Sequence, residues 1–71
     1  MYRFPRNERL EWARLRAGLS QGELADAVHA SRETINAIER CRRTPSLWLA
    51  LAIAHALNEE VEVLFGANEL R

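Results

Sequence analysis

Apolar residues recur along most of this chain at three- and four-residue spacing, the period of helices packed on one side. No run alternates strictly enough to read as a strand. A first helix is predicted over about residues 8–17, capped by Asn7, with Leu10, Ala13 and Ala17 on its inner face. Gly18 follows, where a left-handed residue is expected. Ser20-Gln21-Gly22-Glu23 has the form of a capping box, opening a second helix over about residues 21–28 with Leu24, Ala25 and Val28 inward. His29-Ala30 is a very short connection, after which Ser31 caps a third helix running to Arg40. Thr44 at the cap and Pro45 at the first position start a fourth helix, about residues 46–57. That helix is apolar almost all round, as expected of one buried on more than one side: a central helix or a subunit interface. Asn58 ends it, and a last short helix over about residues 60–65 gives Val61, Leu64 and Phe65 to the core. Residues 1–71 thus read as one all-α domain, with an arm at 1–6 carrying Arg3, a five-helix core at 7–65 and a tail at 66–71.

The third helix organises the rest. Ile35 and Ile38 share a buried face with Thr34 at its margin, while Arg32, Asn36 and Arg40 recur at i, i+4, i+8 on the opposite face, flanked by Glu33 and Ala37. Guanidinium, amide and carboxylate groups presented outward suit a groove lined with hydrogen-bonding edges. An ordinary amphipathic surface helix carries the same pattern. Two serine-capped helices joined as tightly as the second and third are the sequence form of a helix-turn-helix. Arg14 lies one step after Ala13 and four after Leu10, so it is partly on the inner face and needs a carboxylate partner.

Composition narrows the function classes. The chain has 71 residues, 48% of them hydrophobic, with two prolines and three glycines, which excludes a disordered chain. No segment approaches about 18 consecutive apolar residues, so no membrane span is expected. No charged-then-apolar leader opens the sequence, and a cytoplasmic location is expected. The formal net charge of zero conceals a polarity: residues 1–43 balance to +3 and residues 44–71 to −3. Every basic residue is arginine, the better residue for two-pronged contacts to phosphate or guanine, though a compositional bias of the genome accounts for it equally. A lone cysteine, Cys41, excludes an internal disulfide; beside three arginines it is either a redox-sensitive thiol or an unreactive loop thiol. His29 and His55 are too few for a metal site, and no Ser/His/Asp, Cys/His or paired-carboxylate set stands out. No enzyme, cofactor or metal is therefore expected.

The chain resembles the phage-repressor-like, Cro/Xre-type helix-turn-helix family. The matching residues are Arg14, Gly18-Leu19-Ser20-Gln21, Glu23-Leu24-Ala25, Ser31-Arg32-Glu33-Thr34-Ile35, Ala37-Ile38-Glu39-Arg40, Pro45-Ser46-Leu47 and Ile53-Ala54, spanning about residues 7–65. The resemblance implies a compact five-helix, lambda-repressor-like domain whose third helix enters the major groove of double-stranded DNA. It places base reading at Arg32, Glu33, Asn36 and Ala37. Phosphate or flanking contacts fall at Ser20, Gln21, Ser31, Arg40, Arg42 and Arg43. It also pairs Arg14 with Glu39. Where the family prefers glycine at helix ends, this chain has His29, Cys41 and Asn58; a cysteine there costs about 1 kcal/mol. Glu60 stands where a serine cap is usual. Glu33 replaces a common neutral amide and can accept from cytosine N4. Trp48 replaces a usually polar residue and, with Ala52 and His55, is expected to form a subunit or partner interface. The implied function is a transcriptional regulator, expected to be a dimeric repressor on a palindromic operator. The alternatives are an antitoxin or accessory subunit holding a protein partner such as a toxin, and a restriction-modification controller.

Overall fold

The computed structural model describes residues 6–66, and the expected arm and tail fall almost wholly outside that range. Five helices follow one another: α1 (Glu8–Arg16), α2 (Gln21–Ala27), α3 (Arg32–Glu39), α4 (Leu47–Leu57) and α5 (Val61–Phe65). There is no strand among the described residues, and none of their helices is long and apolar enough to cross a membrane.

Each of the first four helices starts on a side-chain cap, which satisfies an N–H that the first turn leaves without an intrahelical partner. Asn7 Oδ1 accepts from Leu10 N at 3.1 Å, and Ser31 Oγ accepts from Thr34 N at 3.0 Å. The capping box is reciprocal: Glu23 N donates to Ser20 Oγ at 3.0 Å and Ser20 N to Glu23 Oε1 at 2.8 Å. The fourth cap corrects the sequence expectation. Ser46, not Thr44, accepts from Leu49 N at 3.1 Å. Serine is the stronger cap of the two, and Pro45 is buried just ahead of it instead of opening the helix. Glu60 caps α5 by position alone, without a side-chain hydrogen bond.

The first four helices end in one way. Gly18, His29, Cys41 and Asn58 all have positive φ, at 77°, 57°, 56° and 55°. At each, the next N–H reaches back five residues: Leu19 to Arg14, Ala30 to Ala25, Arg42 to Ala37 and Glu59 to Ala54, at 2.9–3.1 Å. Ala17 closes α1 with a helical backbone and donates its N–H to Ala13 O at 3.0 Å, yet it is exposed, contrary to its expected inner-face position.

Every helix contributes to one core. Leu10, Leu24, Ile35, Ile53 and Leu64 are fully buried, with Phe65 beside them; each such side chain contributes about 1.5–3 kcal/mol. Within the single chain α4 is covered on one side only. Ala50, Ile53, Ala54 and Leu57 face inward, while Leu47 (58%), Trp48 (81%) and Leu51 (42%) remain exposed. The central-helix reading is thereby excluded; an unpartnered apolar stripe remains. Asn7 does more than cap. Its N–H donates to Glu39 O at 2.8 Å and its Nδ2 to Leu64 O at 2.9 Å, tying the start of α1 to the ends of α3 and α5.

Candidate nucleic-acid interface

α3 is seated by its two isoleucines. Ile35 is 0% exposed and Ile38 2%, and this fixes the rotation of the helix. Ser31, Arg32, Glu33 and Arg40 are then exposed, and Thr34, Asn36 and Ala37 half-buried. Arg32, Glu33 and Asn36 line an open notch of about 180 Å³ together with Gln21 from the start of α2. A shallower trough of about 590 Å³ shares Gln21 and Arg32 with that notch and continues over Ser20, Gly22, Leu19 and Leu15 towards Arg14. The two tight helix ends, after α2 and after α3, bring residues from three segments to one face.

A buried polar chain underlies that face. Arg14 and Glu39 are 7% and 5% exposed. Arg14 Nε donates to Glu39 Oε2 at 2.6 Å and Nη2 to Oε1 at 3.3 Å, a two-pronged pair. Arg14 Nη1 donates to Leu19 O at 2.8 Å, so the guanidinium also braces the α1–α2 turn. The expected partner for Arg14 is therefore present. Gln21 Nε2 joins the same carboxylate, donating to Glu39 Oε1 at 3.0 Å, and also to Asn36 Oδ1 at 3.3 Å. Arg40 Nε donates to the same Asn36 oxygen at 3.3 Å. Sequence reasoning placed Gln21 on the DNA side and missed this inward engagement. That engagement depends on how α2 packs over α3, which no spacing within either helix records.

The remaining expected contact residues surround the notch. Ser20 and Ser31 are exposed while serving as caps. Arg43 is exposed and Nη1 donates to Thr34 Oγ1 at 3.4 Å, which draws the loop back beside the first turn of α3. Ser31 Oγ and Thr34 Oγ1 are 2.8 Å apart, completing that corner. Arg42 is exposed on the same loop. On α4 the expected patch needs correction. His55 is exposed, but Ala52 is half-buried against the core, so the open stripe runs through Leu47, Trp48, Leu51 and His55. Among the described residues no group of three or more His, Cys, Asp or Glu is placed to hold a metal ion.

A helix-turn-helix family model matches residues 10–64, from inside α1 to within α5. The chain belongs to the Cro/C1/Xre-type helix-turn-helix family. That family is one of DNA-binding transcriptional regulators. An uncharacterized helix-turn-helix-type transcriptional regulator of Methanothermobacter thermautotrophicus is 49% identical over 53 residues, covering 73% of this chain and 77% of the relative. Another, YgzD of Bacillus subtilis, is 41% identical over 56 residues, covering 79% and 85%. Among solved structures, the restriction-modification controller protein C.AhdI from Aeromonas hydrophila superposes with a TM-score of 0.77 at 37% identity, covering 83% of this chain and 89% of that one. The relatives are thus of similar length, and the likeness spans all five helices.

Proposed function

We propose that this helix-turn-helix protein is a cytoplasmic repressor that binds a palindromic operator as a two-fold dimer and occludes a promoter. Each subunit lays α3 in the major groove. Arg32, Glu33, Asn36 and Ala37 face base edges, and Ser20, Gln21, Ser31, Arg40, Arg42 and Arg43 flank the phosphates. The observation that carries this reading is the orientation of α3, locked inward by Ile35 and Ile38 with Arg32 and Glu33 exposed around an open notch.

Guanidinium forks to guanine O6 and N7 discriminate by about 1–3 kcal/mol. Arg32→Ala is therefore expected to lose roughly 5- to 150-fold in affinity and to relax preference at one base pair. The test is selection of bound sequences from random DNA, followed by titration of both proteins against every single-base variant of the selected site. An equal loss on every sequence would move Arg32 to a phosphate contact and remove the base-reading assignment.

The exposed stripe of Leu47, Trp48, Leu51 and His55 supports the dimer, whose two α3 helices would lie about 34 Å apart on the operator. The same stripe favours a second reading, an antitoxin-like subunit that holds a protein partner such as a co-encoded toxin. Neutralisation of such a toxin on co-expression would establish that alternative. The likeness to a restriction-modification controller supports a third variant, in which the regulated promoter belongs to a restriction system.

A further inference from the structure

Two donors fix which atom Asn36 shows to DNA. Glu39 Oε1 only accepts, so the Gln21 atom 3.0 Å from it is Nε2. That Nε2 also lies 3.3 Å from an Asn36 side-chain atom. Arg40 Nε, which only donates, lies 3.3 Å from the same atom. An atom addressed by two donors is the amide oxygen, and its two lone pairs are then both engaged. The buried Arg14–Glu39 pair stands behind the arrangement, since it holds the carboxylate that orients Gln21.

An asparagine fork to adenine needs Oδ1 to accept from N6 while Nδ2 donates to N7. With Oδ1 filled, Asn36 offers N–H groups alone. Guanine presents two acceptors, O6 and N7, on the major-groove edge, whereas adenine presents one acceptor and one donor. We propose that Gln21 and Arg40 hold Asn36 as a donor-only reader, so that Asn36 selects guanine rather than adenine. Gln21 is on this view a positioning residue whose effect on specificity is exerted through Asn36. The inference rests on the DNA-reading function proposed above.

The experiment is selection from random DNA with the wild-type chain and with Asn36→Ala, Gln21→Met and Arg40→Met, each checked for wild-type helix content by circular dichroism. Asn36→Ala marks the relevant base pair, as the one where preference disappears. The wild type is expected to prefer G·C over A·T there by about tenfold. Gln21→Met frees one lone pair and is expected to reduce or reverse that preference at that pair alone. Arg40→Met is expected to do the same, on a background of weaker overall binding, and serves if Gln21→Met does not fold. Wild-type selection of A·T at that pair, or an unchanged preference in both Met variants, would overturn the proposal while leaving the DNA reader intact. Failure of the wild type to select any sequence would remove the DNA-reading function itself, and this inference with it.

Discussion

Replacing Glu39 with alanine tests whether the buried polar chain holds the domain together. Glu39 accepts from Arg14 Nε, Arg14 Nη2 and Gln21 Nε2 at 2.6, 3.3 and 3.0 Å. Without the carboxylate, the Arg14 guanidinium, 7% exposed in the intact domain, keeps only the Leu19 carbonyl among these partners. Removing one partner of a buried pair costs about 3–5 kcal/mol, because the other charge is left in a poor solvent. A chain of 71 residues has roughly 4–11 kcal/mol of total stability to draw on. Glu39→Ala is therefore expected to be marginal, its midpoint falling by about 12–40 °C at about 4–8 °C per kcal/mol. Thermal and urea unfolding followed by circular dichroism measures this, with the urea slope checking that the two-state description still applies. The double variant Arg14→Met/Glu39→Met removes both charges and keeps the volume, so it is expected to recover most of the loss. A single-variant loss under about 1 kcal/mol is the figure for an exposed pair, and it would refute the claim that this pair is buried in solution.

Three further outcomes are expected. Cys41→Gly relieves a left-handed cysteine at φ 56°; set against the greater chain entropy of glycine, the gain is about 0.5–1 kcal/mol, or about 2–8 °C in midpoint, and an unchanged or lower midpoint would count against strain at that turn. Arg43→Ala is expected to weaken binding uniformly across sequences and to lower the slope of log affinity against log salt by about 1, read from titrations at several salt concentrations. Trp48→Glu places a charge on the 81%-exposed centre of the α4 stripe, so sedimentation should show a dimer become a monomer with helix content unchanged; a monomeric wild type at high concentration would end the dimer assignment.

Much of this was legible in the order of residues, and the misses have physical causes. Caps are local, so Asn7, Ser20 and Ser31 could be placed from a few neighbours each. The Thr44–Ser46 choice turned on which of two nearby hydroxyls meets an N–H, a shift of two residues that the apolar pattern of α4 leaves open. That same uniform pattern hid that Leu47 and Leu51 join Trp48 and His55 on the open side of α4, because both leucines look as core-like as Ile53. The Arg14–Glu39 pair was reached from the cost of a half-buried guanidinium and from the resemblance together. The inward turn of Gln21 and the two donors on Asn36 were not, since they depend on the packing of α2 over α3, which no spacing within either helix records.

The two long-range bonds of Asn7 bear on how the protein is made. Its side-chain amide is satisfied by the carbonyl of Leu64, 57 positions further on, and a buried amide lacking such an acceptor is costly. A nascent chain that has emerged only as far as α4 lacks that acceptor, so α1 is expected to dock fully only once the translating ribosome has released α5. The groove-facing pair α2–α3 relies on nearer contacts and is free to assemble earlier. A polypeptide cut just ahead of α5 should accordingly keep local helicity yet remain open to proteases around α1.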